Sequence, residues 1–302
     1  MSAPPCQPRR PSRSEFVTVR GLRHHLHRWP ATTPGSSPPL VMMHGWMDVA
    51  ASFQFIVDAL EDDREVVAPD WRGFGRTESP HADCYWFPDY LGDLDGLLDA
   101  ISPDAPVDLL GHSMGGNVVM SYAGVRPQRI RRLVNLEGFG MPAARPSQGP
   151  RRLVQWLDEL KTPQTMRDYA SLAEVAERLM RNNPRLSAER AAWLAPHWAE
   201  QRADGRWHVL GDPAHKRPNP LLYHVDEVLE SWKAIRARVL WIEGADTDIA
   251  KWWGDRYTKP EFHRRLDVVP HTERHVIADC GHMLHHDQPE AVAAHLRRFL
   301  AD

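Results

Sequence analysis

Residues 109–120 read LLGHSMGGNVVM, in which one serine, Ser113, stands between two glycines and two apolar segments. The first apolar segment predicts a buried strand and the second a helix, so Ser113 occupies the turn between them. Side chains flanking the centre of such a sharp turn would collide, and the glycines at 111 and 115 remove that collision. The G-x-S-x-G spacing therefore predicts a serine nucleophile held above the end of a strand. A glycine-rich turn with a purely structural role is the alternative interpretation.

Similar apolar runs recur along the chain and indicate the fold class. Each is short, continuous and followed by polar residues, as in strands that are covered on both faces. The runs are LVMMHGWMD, REVVAPDWRGFG, VDLLGHSMGG, RRLVNLEGFG, ARVLWIEGADTD and RHVIADCGHM. Helical segments separate many of them, including Asp89 to Ile101 and Asn117 to Val125. This alternation predicts an α/β protein with a mostly parallel, doubly wound sheet, and FVTVRGLRHHLHRW predicts a hairpin at one edge.

The same patterns divide the chain into three parts. Residues 1–15, rich in Pro, Ser and Arg, predict a disordered tail. Residues 16–142 and 232–302 carry the strand-helix alternation and form the predicted core. Between them, residues 143–231 lose the alternation and become helical in pattern, which predicts a helical cap inserted late in the sheet.

Composition limits the classes of partner. The formal net charge is -3 over 302 residues, with both signs interspersed, so no single-sign surface favours nucleic acid or a membrane. The three cysteines are widely separated, without the C-x-x-C spacing of a zinc site or the even count of a disulfide framework. No signal-like or bilayer-spanning run is evident. We expect a cytoplasmic protein that acts on a small molecule, and the oligomeric state stays open.

A serine nucleophile requires a base and a carboxylate that orients it. Of the 17 histidines, His282 is the best candidate base, because it follows the last apolar run and a glycine, on a loop before the final helix. The favoured acid is Asp248, which lies deep in the loop after VLWIEG and leaves Asp246 free for turn hydrogen bonds. Asp246 and Glu137, which follows LVNL, remain alternatives.

Two further expectations concern the surroundings of the nucleophile. The backbone N–H groups of Met114, at the predicted helix start, and Trp46, in HGWMD, would form the oxyanion hole. The histidines of HMLHHD, at 282–287, could suggest a metal, but no matching acidic ligand set is evident in the sequence. We therefore expect neither a metal nor a cofactor.

The segments HGW, DWRGFGRTES, GHSMGG, EGADTD and CGHMLHHDQPE occur in one order along the chain. With them the chain resembles the α/β-hydrolase-fold family from Phe16 onward, and the order Ser113, acid, His282 matches. The resemblance favours Asp248, because many relatives carry the acid in a G-x-x-[ST]-D stretch. Other relatives place it after the preceding strand, which keeps Glu137 open. The resemblance also implies a cap that shapes an acyl pocket.

Together these features predict a serine hydrolase that cleaves a carboxylic ester, thioester or lactone through a Ser-His-Asp triad and an acyl-enzyme. A serine nucleophile disfavours the chemistry of haloalkane dehalogenases and epoxide hydrolases of this fold, in which a carboxylate attacks. A carbon-carbon bond hydrolase of the same fold and a non-catalytic ligand-binding member remain the alternatives.

Overall fold

A computed structural model describes residues 4–33, 35 and 37–301. The strands are β1 Arg13–Val19, β2 Leu22–Trp29, β3 Leu40–Met43, β4 Val66–Pro69, β5 Val107–His112, β6 Ile130–Leu136, β7 Asp168–Tyr169, β8 Ala199–Gln201, β9 Trp207–Val209, β10 Arg238–Gly244 and β11 Thr272–Ile277. The helices are α1 Gln54–Leu60, α2 Phe87–Ile101, α3 Met114–Val125, α4 Gly149–Leu160, α5 Leu172–Asn182, α6 Ala188–Trp198, α7 Val225–Lys233, α8 Ala250–Trp253, α9 Lys259–Leu266, α10 Leu284–Asp287 and α11 Pro289–Ala301.

Eight strands form the central sheet, in the order β1-β2-β4-β3-β5-β6-β10-β11. The pairs from β4 to β11 are parallel, whereas β1 with β2 and β2 with β4 are antiparallel. The first two strands are the predicted edge hairpin, turned at Gly21, whose φ is +79°. The predicted α/β class with a mostly parallel sheet is confirmed.

The sheet is buried on both faces because its central strands alternate between two apolar cores. In β3, Val41 and Met43 face the core that contains α2, α3 and α9. Leu40 and Met42 face the core that contains α1 and α11. Successive side chains of a strand point to opposite faces, so a continuous apolar run is what a strand between two helical layers requires.

The cap lies between β6 and β10 and has its own small core. This core is made largely from α5 and α6, and the cap also contains a three-stranded sheet in the order β7-β9-β8, which the sequence did not predict. The sequence predicts that the cap ends at residue 231, within α7. Helix α7 packs on α3, where the carbonyl of Ser231 approaches Gly124 so closely that a Cβ there would lie 1.8 Å from it. Trp232, the next residue, belongs to the main core.

The structure describes residues 4–15 of the predicted tail. Strand β1 already begins at Arg13. Before it, the guanidinium of Arg10 donates hydrogen bonds to the carbonyls of Trp29, Pro30 and Arg64 at 3.1, 2.8 and 2.6 Å. These carbonyls lie at strand ends, and one arginine supplies donors to all three. Residues 1–3 of the predicted tail lie outside the described residues. Within the described residues, no helix combines the length and apolarity needed to cross a membrane.

Two buried histidines make the fold sensitive to acid. His27 and His215 are each 7% exposed, and His215 is stacked between Phe74 and Tyr85 with ring centroids 3.7 and 3.4 Å away. Burial lowers the pKa of each imidazole from 6.5 to about 3. Below pH 6.5 these two histidines bind protons in the unfolded chain but stay neutral in the folded chain. Their contribution to the free energy of unfolding is therefore fully present above pH 6.5 and is lost as the pH falls toward 3.

We expect the free energy of unfolding, measured by urea denaturation at pH 7, 6 and 5, to fall by about 1.4 kcal/mol per pH unit for each of these histidines once the pH is below 6.5. His27→Gln should remove one such contribution from the slope. The exposed His81 provides the control, and His81→Gln should leave the slope unchanged. Equal slopes for wild type and His27→Gln would contradict the assignment.

Candidate active site

Ser113 sits at a strained turn between β5 and α3. Its φ and ψ are 52° and -115°, a conformation that L-residues rarely adopt. The turn is tight enough that a Cβ at Gly111 would lie 2.4 Å from the carbonyl oxygen of Gly115. A Cβ at Gly115 would lie 2.2 Å from the carbonyl oxygen of Met43. Both glycines are therefore sterically required, as the motif predicts.

His282 reaches Ser113 from the loop between β11 and α10. Its Nε2 lies 2.9 Å from the Oγ of Ser113. A hydrogen bond from the backbone N–H of Gly281 to the carboxylate of Asp287, at 2.8 Å, holds this loop in place. The His282 side chain is 23% exposed, so the pair is open to a substrate. Sequence reasoning predicted both residues, and the structure brings them together.

The carboxylate next to His282 is that of Glu137, directly after β6. Its Oε2 lies 2.6 Å from the Nδ1 of His282, and its side chain is fully buried. Its Oε1 accepts a hydrogen bond from the N–H of Gly244 at 2.7 Å. Both oxygens are thus fixed, one by the imidazole and the other by the end of β10.

The favoured acid, Asp248, does not contact His282, which corrects the prediction. Its carboxylate is exposed and accepts a hydrogen bond from the N–H of Ala250 at 3.0 Å, at the start of α8. Asp246 is also displaced, since it forms an ion pair with Arg185 of the cap at 2.7 Å. The loop after β10 runs along the surface, whereas β6 lies between β5 and β10 and ends beside the imidazole.

The hydrogen bonds define which nitrogen of His282 carries the proton. A carboxylate only accepts, so the Nδ1–H donates to Glu137. The Nε2 then presents its lone pair to the hydroxyl of Ser113. This is the tautomer in which an imidazole can take a proton from a serine.

The predicted oxyanion donors lie beside the nucleophile. Met114 is the first residue of α3, and its N–H has no acceptor within the helix. The loop that carries Trp46 approaches from the other side, because a Cβ at Gly45 would lie 3.2 Å from the Cβ of Ser113. In the described part of the chain, neither N–H donates a hydrogen bond. The arrangement leaves both available to a developing oxyanion.

His112 connects the nucleophile to the loop of the base, a role that sequence reasoning missed. Its Nε2–H donates to the backbone carbonyl of His282 at 2.8 Å. Burial lowers the pKa of His112 well below 6.5, helped by His285 and His282 nearby, so the ring is neutral. The two residues are 170 positions apart, and no sequence spacing signals such a contact.

Two exposed tryptophans belong to segments next to Ser113 and His282. Trp252 packs edge-on against His282, with ring centroids 4.5 Å apart, and is 44% exposed. Trp46 is 52% exposed. A separate cavity of about 590 Å³ lies between the core loop 73–81 and cap residues 196–213, and its lining includes neither Ser113 nor His282.

Comparison with known proteins agrees with this geometry. A family model described as alpha/beta hydrolase fold matches residues 38–289. The chain is 25% identical over 306 aligned positions to a cis-3-alkyl-4-alkyloxetan-2-one decarboxylase of Shewanella oneidensis, covering 97% of this chain and 89% of that protein. It is 34% identical over 129 residues to a 2-hydroxy-6-oxo-2,4-heptadienoate hydrolase of Pseudomonas putida, covering 42% and 45% of the two chains.

Among solved structures, a thioesterase domain from the curacin biosynthetic pathway superimposes with a TM-score of 0.80 at 23% identity, covering 94% of this chain and 98% of that one. At this identity the likeness shows the fold. The family model and the hydrolase names of the relatives confirm the predicted family and enzyme class. The chain belongs to the alpha/beta hydrolase fold family.

Proposed function

We propose that the protein is a serine hydrolase that cleaves a carboxylic ester, thioester or lactone of a small molecule, with Ser113, His282 and Glu137 as its triad. The observation that carries the proposal is the continuous chain of hydrogen bonds from Ser113 Oγ through both nitrogens of His282 to Glu137, at 2.9 and 2.6 Å. Each atom in this chain has the donor or acceptor character that acyl transfer requires.

In the first half-reaction, His282 takes the proton of Ser113 while the serine oxygen attacks the substrate carbonyl. The carbonyl oxygen becomes negative and accepts hydrogen bonds from the N–H groups of Trp46 and Met114. Collapse of the tetrahedral intermediate breaks the bond to the leaving group, which takes the proton from His282. In the second half, water attacks the acyl-enzyme with the same assistance and releases the acid.

Glu137 acts through His282. During attack the imidazole becomes a cation, and the buried carboxylate beside Nδ1 stabilises that charge in a site of low dielectric constant. The second bond of Glu137, from Gly244, keeps the carboxylate from rotating away. Relatives of the fold named for ester-like substrates fit this reading, since the oxetanone of the Shewanella oneidensis protein is a cyclic ester.

The exposed faces of Trp46 and Trp252 favour a substrate with an apolar part. Aromatic rings that remain accessible beside a reactive serine gain free energy when an apolar group covers them. We therefore expect the acyl or alcohol portion of the substrate to rest against these two rings.

A second candidate is hydrolysis of a carbon-carbon bond beside a ketone. The similarity to the Pseudomonas putida hydrolase supports it, at 34% identity over 129 residues. The two reactions share the nucleophile, base and oxyanion hole, and differ in whether the leaving group is an oxygen or a carbon.

A fluorophosphonate should form one adduct, on Ser113. The serine oxygen displaces fluoride from phosphorus, which gives a stable phosphonyl-serine, and Ser113→Ala should give no adduct because no activated oxygen remains. Intact-protein and peptide mass spectrometry measure both outcomes. Folded wild-type protein that stays unlabelled would favour the ligand-binding alternative.

Glu137→Gln should lower kcat/KM about 10³- to 10⁴-fold, because an amide at this position can donate to Nδ1 and hold His282 in the wrong tautomer. Asp248→Asn is the matched control, a surface change expected to stay within about twofold. Initial rates on a short-chain p-nitrophenyl ester measure both variants. A loss in Asp248→Asn as large as that in Glu137→Gln would overturn the assignment of the acid.

Multiple turnover of short- and medium-chain esters distinguishes the two enzymatic candidates. We expect kcat/KM for the best ester to exceed that for 2-hydroxy-6-oxo-2,4-heptadienoate by at least about tenfold. Ser113→Ala gives the background for each substrate. The opposite preference would support the carbon-carbon bond hydrolase.

A further inference from the structure

Three buried ligand-type side chains converge behind the nucleophile. Asp48, His112 and His285 are 3%, 1% and 0% exposed. One ligand atom from each lies within 4.8 Å of those of the other two. They come from three separate segments: the loop that carries Trp46, the last residue of β5, and α10. The triad does not use any of these three side chains.

The carboxylate of Asp48 has one oxygen engaged and one directed at the histidines. Its Oδ1 accepts hydrogen bonds from the N–H of Val49 at 2.9 Å and from the hydroxyl of Ser52. Its Oδ2 lies 3.3 Å from the Nε2 of His285. This separation exceeds the usual length of a charge-assisted hydrogen bond, about 2.7–2.9 Å. It matches the spacing of two ligands in a tetrahedral zinc site, about 3.3–3.4 Å for bonds near 2.0–2.1 Å.

His112 is oriented as metal-binding histidines are. Such a histidine typically donates its second N–H to a carbonyl or carboxylate, which fixes the tautomer. Here the Nε2–H donates to the carbonyl of His282 at 2.8 Å, so the Nδ1 carries a lone pair. That nitrogen faces the loop of Asp48, since a Cβ at Gly45 would lie 3.0 Å from it. Among the described residues it has no hydrogen-bond partner.

The two imidazoles also lie close to each other. The ring centroids of His112 and His285 are 4.4 Å apart and the rings are steeply inclined. A cavity of about 10 Å³ borders Asp48 on the side of the cap. Its lining includes neither His112 nor His285, so the cavity does not extend to the two histidines.

We propose that Asp48, His112 and His285 bind one divalent cation of the zinc type, with a water molecule as fourth ligand. Two imidazoles and one carboxylate suit Zn²⁺ and its substitute Co²⁺, and not the all-oxygen preference of Mg²⁺ or Ca²⁺. The cation joins the oxyanion loop, the nucleophile turn and α10, which begins two residues after His282. It acts as a structural link between the segments that carry the triad and takes no part in acyl transfer.

The test is a zinc titration of the full chain after removal of metals with a chelator. Isothermal calorimetry should give one Zn²⁺ per chain. Thermal unfolding should shift upward by about 3–6 °C at free zinc 100-fold above Kd. Co²⁺ should produce the visible absorption bands of tetrahedral coordination. No binding at a ratio of one, or octahedral Co²⁺ spectra, would overturn the proposal.

Variants separate this site from other places that could hold zinc. His285→Gln should weaken zinc binding by about 100-fold or more, because it removes one of three protein ligands. His295→Gln, which removes a partner of the surface pair with His275, should leave binding unchanged. His282→Ala should also retain it, which excludes zinc held by the triad. Retention in His285→Gln, or loss in either of the other two variants, would contradict the assignment.

X-ray absorption of zinc-loaded wild type gives a check that needs no variant. We expect two imidazole ligands and two oxygen ligands at about 2.0–2.1 Å. A shell made only of oxygens, or one with a single imidazole, would refute the site even if His285→Gln failed to fold.

Discussion

The strained turn at Ser113 is the constraint on which the rest of the site depends. A residue with φ of 52° at the junction of a strand and a helix persists only if its surroundings hold it there. The close approaches at Gly111 and Gly115 do so, because backbone of β3, β5 and α3 is packed where side chains would otherwise be. The same packing brings the loop of Trp46 against the serine. Ser113 and the loop of the proposed oxyanion donor are thus positioned by a single steric arrangement.

The position of Glu137, the proposed acid, follows from the order of the strands. Strand β6 is the neighbour of β5, and its last residue leads directly into Glu137. A glutamate at this point reaches the imidazole and still accepts a bond from Gly244. Asp248, four residues after the end of β10, lies in an exposed loop. Its carboxylate there accepts a hydrogen bond from the N–H of Ala250 at the start of α8. The side chain of Glu137, which follows the strand next to β5, therefore reaches the imidazole of His282, whereas that of Asp248 does not.

Behind the triad, buried polar groups join segments that are remote in sequence. His112 links the nucleophile turn to the loop of His282, and Asp48 links the oxyanion loop to α10. Buried polar atoms of this kind are costly unless they find partners. Their concentration next to Ser113 and His282 places the proposed cation ligands beside the proposed acyl-transfer site.

The amino-acid sequence by itself determined the α/β class, the edge hairpin and the pairing of Ser113 with His282. Apolar runs indicate buried strands, and the G-x-S-x-G spacing indicates a tight turn. Both features depend on residues that are close together in the sequence, so the sequence alone predicts them. The tertiary structure decided which carboxylate lies beside His282 and how Arg10 contacts the strand-end carbonyls. It also brought Asp48 to His285 across 237 positions. Each of these depends on how far a side chain reaches across packed elements, and only the folded chain sets those distances.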